Sequence, residues 1–243
     1  MKYFIFLINL FFSATYLYSQ DYLDILKVSA STTPDNTFDT STAKTKINQI
    51  DADLLIPIKI TDQFSVISGL LYENIQTKLF ADENMKSFGS ATLKLGANKQ
   101  FNDNWTSTMV LLPKIASDYV SVGNKDFQIG AIAIMKYKKR DNLNYKFGLY
   151  YNSELFWPFF VPMFGVYYLS PDKKFETNIM LPLQADVNYK LLPLMNVGCN
   201  FNGQIRSYHL TDITLANHSA YVARTTNEFY AYLKFNVSKS ISI

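Results

Sequence analysis

Few side chains in this chain could act as an imidazole base or a thiol nucleophile. It has two histidines, His209 and His218, and one cysteine, Cys199. Ser207 lies two residues before His209, so on a strand the two would share a face. A serine beside a histidine base is the minimum for acyl transfer, but no third, orienting residue can be assigned. Cys199 has no cation or base on its own face to activate the thiol. Asp51 and Asp53 put two carboxylates on one strand face, yet the glycine and distal glutamate of a calcium loop are missing. There is no glycine-rich phosphate loop. The residues therefore predict no cofactor, no metal, no catalytic residue and no enzyme, with lipid hydrolysis through Ser207 and His209 as a distant third reading.

Those residues sit in stretches of period 2. From 196 to 208, Val197, Cys199, Phe201 and Ile205 fall on one side with Gly203. Gly198, Asn200, Asn202, Gln204 and Arg206 fall on the other. Successive strand residues point to opposite faces, so one face is apolar and the other carries amides and a guanidinium. Leu93 and Leu95 oppose Thr92 and Lys94 in the same way, Phe147 and Leu149 oppose Lys146 and Tyr150, and Phe229 and Leu233 oppose Tyr230 and Lys234. Strands are expected at 22–33, 43–60, 64–77, 88–99, 105–115, 125–138, 143–154, 159–170, 174–181, 184–191, 194–209 and 220–237, with one more beginning at Ile241. Alternation is poor in 43–60 and weak in 64–77. The stretch 174–191 reads as two short strands or one long one.

Short polar turns at 61–63, 102–104, 140–142, 171–173, 192–193 and 238–240 alternate with longer polar stretches at 34–41, 80–88, 116–125 and 210–219. The prolines fall in loops, turns or strand ends, with none expected in mid-strand, where a ladder donor would be lost.

The first 19 residues read as a secretory signal: Lys2, an apolar core at 4–12, and small residues Ser13, Ala14 and Ser19 before a cleavage site. Residues 20–243 form the second unit. The longest uncharged run, 155–170, is below the ~18 residues of a spanning helix and contains two prolines. With 23 Lys+Arg against 20 Asp+Glu and no basic cluster interleaved with aromatics, nucleic acid is not an expected partner. Apolar-out, polar-in strands behind an export signal, with short and long connections alternating, describe a transmembrane antiparallel up-and-down β-barrel of the bacterial outer membrane. About 12–14 strands are expected, the short turns being periplasmic. Because such barrels use even strand numbers and leave no edge open in lipid, the end at Ile243, just into a strand, predicts a chain that is truncated at its C-terminus.

The expected lumen face collects Lys94, Lys146, Asn152, Glu154, Glu176, Asn200, Asn202, Gln204, Arg206 and Lys234. Tyr150, Tyr151, Trp157, Phe159, Phe160, Tyr167 and Tyr168 are expected in an aromatic girdle at the headgroup level. The leading functional expectation is a porin-like passive channel for small solutes. The alternative is a structural or adhesive barrel whose lumen groups pair and close it. Outer-membrane lipid is the expected partner in either case.

The second half also resembles a family of uncharacterised outer-membrane β-barrels of Gram-negative bacteria, described as a domain of unknown function. The resemblance rests on the run from Pro162 to Pro171 (PMFGVYYLSP), Lys173-Lys174-Phe175, Leu181-Pro182, Val187-Asn188-Tyr189, the run from Leu194 to Gly198 (LMNVG) and that from Asn227 to Leu233 (NEFYAYL). It covers 155–243 by motif and the first half by general pattern. It implies an outer-membrane barrel, two short strands within 174–191 and members that continue past Ile243. It implies no activity and no site residue.

Overall fold

The computed structural model describes residues 25–39, 41–81, 84–215 and 218–236. The expected signal at 1–19 and the strand expected from Ile241 lie outside the described residues.

Strand β1 (Leu26–Thr32) pairs with β4 (Asn48–Lys59), and the connection between them carries a two-residue pair, β2 (Asn36–Thr37) with β3 (Lys44–Thr45). Then follow β5 (Phe64–Thr77), β6 (Lys86–Gln100), β7 (Trp105–Ser117), β8 (Phe127–Arg140), β9 (Leu143–Ser153), β10 (Pro158–Leu169), β11 (Phe175–Leu181), β12 (Gln184–Leu192), β13 (Met195–Leu215) and β14 (His218–Phe235). From β4 onward each strand of the large sheet pairs antiparallel with the next. The stretch 174–191 is two strands, paired from Phe175–Tyr189 to Met180–Gln184. The stretch 43–60 is broken, because residues 44–45 belong to the small pair.

The barrel closes differently from the wholly antiparallel ring expected. β12 is nine residues long and β13 is 21. Their ladder stops at Gln184–Asn202, so β13 outruns its neighbour. Beyond that point it pairs with β14 on one side and meets β7 on the other through a parallel bridge, His209–Ser117. Strands β7 to β13 therefore form a closed ring of seven within a twelve-stranded sheet. Within the polar stretch 210–219, expected as a loop, residues 210–215 and 218–219 continue the two arms of the β13–β14 hairpin, with a bulge between Leu210 and Thr214.

Pro158 opens β10 and Pro57 lies near the end of β4, while Pro113 and Pro162 sit deeper in their strands than expected; Pro57, Pro113 and Pro162 each sit where one side of the ladder is missing. Pro57 pairs with Ile67 of β5, but the β1 ladder has already ended at Leu54. Pro162 pairs with Leu149 of β9, while β11 joins only from Phe164. Pro113 pairs with Ile129 of β8, and the β6–β7 ladder lapses between Thr92–Lys114 and Leu95–Leu111. A residue without an N–H is tolerated where no donor is required.

One close approach is set by a glycine. A Cβ on Gly198 would lie 2.4 Å from Cζ of Tyr232, its partner on β14, and 2.7 Å from the Val187 carbonyl oxygen. The Tyr232 ring fills the missing side chain's place, and its hydroxyl donates to Asp186 at 2.9 Å. Gly198→Ala is expected to cost about 1–3 kcal/mol by overpacking, since the backbone oxygen cannot yield. Urea titration of the folded protein followed by tryptophan fluorescence checks this, and an unchanged midpoint would count against the packing described.

Candidate functional site

The strand faces separate by polarity. Leu93, Leu95, Met109, Leu111, Phe147, Leu149, Phe164, Val197, Phe229 and Leu233 are all exposed on the outside of the wall. Cys199 is exposed with them. The opposite positions carry Glu73, Ser90, Thr92, Lys114, Gln128, Asn152 and Glu154, all buried.

Past Asn202, β13 leaves the wall and crosses the interior. Both of its faces are covered there: Ser207 and Tyr208 are fully buried. On one side Tyr208 and Leu210 join Ile75, Phe88 and Ala116 in an apolar cluster. The Tyr208 hydroxyl donates to Glu73, which also pairs with Arg206. On the other side stand Glu154, Gln128 and Asp126.

Leaving β12 costs β13 a strand partner, and side chains and loop backbone groups replace it. The Gly203 N–H donates to the Leu183 carbonyl at the tip of the β11–β12 hairpin, 2.8 Å away. The Ser207 N–H donates to Glu154, and its carbonyl accepts from the Gln128 amide at 2.9 Å. The His209 carbonyl accepts from the Asp118 N–H at 3.0 Å. Buried backbone groups require partners, so Glu154 and Gln128 are accounted for as edge-satisfying residues. Glu154 also accepts from the Ser207 hydroxyl, from Asn152 and from Lys114 Nζ at 2.9 Å. Its side chain has no exposure and that of Lys114 has 8%.

Ser207 and His209 share a face, as expected, but it is a covered interior face rather than the outward side that carries Val197 and Cys199. The reason is the departure of β13 from the wall, which alternation along one strand cannot register. Each residue has its own acid: Ser207 donates to Glu154, and His209 Nδ1 lies 2.7 Å from Asp126. Ser207 is thus tied to a carboxylate and not to the imidazole. Among the described residues no group of three or more His, Cys, Asp or Glu is placed to hold a metal ion.

Below this crossing lies a cavity of about 1070 Å³. Lys94, Asn152, Asn202, Gln204 and Arg206 line it. Lys94 pairs with Asp53. Lys146 donates to Asn178 at 2.8 Å, and Glu176 accepts from Tyr167 at 3.1 Å. Asn200 Oδ1 is buried without a hydrogen-bond partner, and Lys234 is half-buried opposite Asn196.

The aromatic group divides, which corrects the single girdle expected. Tyr150 and Phe159 line the cavity, with ring centroids 6.3 Å apart. Tyr167 is buried over Lys146. Tyr151 and Phe160 stack outside at 4.9 Å, Tyr168 packs with Phe175, and Trp157 is exposed. Neighbouring residues of one strand cannot share a face, so Tyr150 with Tyr151, Phe159 with Phe160, and Tyr167 with Tyr168 had to part.

Sequence reasoning missed Glu73, Lys114, Asp126 and Gln128, and saw Asp53 only as one of two carboxylates on a strand face. Parity was the available signal for Lys114, two steps of two from Val110 and four from Thr106, all of which line the cavity.

A family model for a domain of unknown function, DUF6268, matches residues 11–243. The chain belongs to the DUF6268 family. No curated protein and no solved structure matches this DUF6268 chain. Its interior network therefore has to be interpreted from its own chemistry.

Proposed function

We propose that this DUF6268 protein is an outer-membrane β-barrel that crosses lipid with its strands, short turns to the periplasm. The β13–β14 hairpin closes its interior at the long-loop end, and a cavity below that closure holds a small solute. One observation carries the reading: the outside of the wall is apolar, and the buried charged and amide side chains face inside. A monomer in water rarely exposes so large an apolar surface, whereas a barrel in lipid requires it. The closure is supported by the pairing of the interior charges: Lys114 with Glu154, Arg206 with Glu73 and Lys94 with Asp53. This favours the closed-lumen alternative over the freely open channel expected first.

The test is fractionation of a Gram-negative host making the full chain, followed by planar-bilayer recording of the purified protein. The chain is expected with outer-membrane markers, migrating differently before and after boiling, and to pass no steady current. Recovery in the soluble periplasmic fraction would sink the membrane reading. A steady current from the wild-type protein would sink the closure.

A further inference from the structure

The cavity below the hairpin is not lined as a water-filled pore would be. Its wall includes Leu71 of β5, Leu112 of β7, Ile132 of β8, and Phe159 and Val161 of β10. All occupy inward positions, where a barrel interior is ordinarily polar. They form an apolar belt between two polar layers, the hairpin network on the loop side and Asn98, Gln100 and Thr106 on the turn side. Apolar side chains facing an aqueous cavity lose the gain of burial, and an apolar occupant restores it.

The ion pairs around this belt are oriented. Lys94, Lys114 and Arg206 line the cavity, while their partners Asp53, Glu154 and Glu73 do not. Lys114 and Arg206 therefore face inward with fully buried acids behind them, an arrangement that favours an acceptor-rich head group.

The wall is also interrupted on one side. β11 joins β10 only from Phe164 onward, and β12 leaves β13 at Asn202. Residues 158–163 of β10 and 203–208 of β13 therefore lack a ladder on their facing edges among the described residues. Phe159 and Val161, the hairpin tip Pro182–Leu183 and Gly203–Ile205 border this interruption, and all of these named residues line the cavity. On the outside it is flanked by exposed Phe160, Phe164 and Leu181.

We propose that the cavity binds a single-chain anionic amphiphile, acyl chain in the belt and head on the inward-facing donors, admitted from the lipid side between β10 and β13. This rests on the membrane reading above and names the solute class.

The experiment uses the full chain held in an amphipathic polymer free of detergent, with 11-(dansylamino)undecanoate as the fluorescent probe. Saturable binding is expected, with dodecanoate displacing the probe about ten-fold better than dodecyltrimethylammonium. Ile132→Trp and Val161→Trp, which fill the belt from two walls, are each expected to weaken dodecanoate about ten-fold. Leu111→Trp, on the outer face beside Leu112, is expected to leave it unchanged. Absence of saturable binding, equal displacement by the two head groups, or unchanged affinity in either belt variant that keeps the folded migration would overturn the proposal. Binding is read on purified protein. A chain absent from the outer membrane that still prefers dodecanoate refutes only the location, and an inserted barrel that ignores it refutes only the ligand.

Discussion

Glu154→Leu is expected to cost the folded state about 3–5 kcal/mol, the penalty for breaking a buried ion pair from one side. Lys114 would be left at 8% side-chain exposure with its carboxylate gone. The Ser207 N–H and hydroxyl would both lose their acceptor in the interior, at a further cost typical of unsatisfied buried groups. The double variant Lys114→Met with Glu154→Leu separates the two contributions. It removes both charges but still orphans Ser207, and is expected to lose only about 1–3 kcal/mol. Glu154→Gln, which can still accept one hydrogen bond, should fall between. Urea unfolding in lipid vesicles, followed by the two tryptophans, measures all three. If Glu154→Leu unfolds at the wild-type urea concentration, the network is not what anchors the hairpin.

The second large effect is electrical. A variant that joins Ile205 directly to Thr225 through an Asn-Gly turn removes the part of the hairpin that crosses the interior. Ile205 and Thr225 are register partners, and Asn-Gly is the preferred two-residue hairpin turn. Arg206, Ser207, Tyr208 and Leu210 are lost together, and Glu73 and Glu154 become free to hydrate. Wild-type protein is expected to be silent in a planar bilayer, and the shortened variant to give discrete single-channel steps. Because this deletion also removes the His209–Ser117 bridge, Arg206→Ala with Tyr208→Ala provides a milder opening that keeps the backbone path. Silence from both variants, each still shifting its migration on boiling, would place the block elsewhere in the barrel.

The strand segmentation was legible along the chain because hydrophobic alternation is local: each residue's face follows from its neighbours' faces. Val197, Cys199 and Phe201 could be set against Asn200 and Asn202 without knowing what lay beside them, and the wall of β13 up to Asn202 follows that alternation. The division of the aromatic residues was equally local, and parity alone places Tyr150 and Tyr151 on opposite sides. The weak strands 43–60 and 64–77 hid Glu73 and the inward pairing of Asp53, because strands that carry inward Leu55, Ile67 and Leu71 have little contrast between their faces.

By itself the sequence determined an all-β chain, its turns, and which side chains share a face along each strand, since these depend on neighbours one to four residues away. The tertiary structure alone decided how the barrel closes and what its interior groups do. The unequal lengths of β12 and β13 free an edge at Gly203, and the partners that satisfy it come from 53 and 79 residues away, at Glu154 and Gln128. Nothing in the local pattern of Ser207 or His209 records that a second wall stands opposite them. Contacts across a barrel are fixed by register and curvature summed over many strands, and a period-2 pattern carries neither.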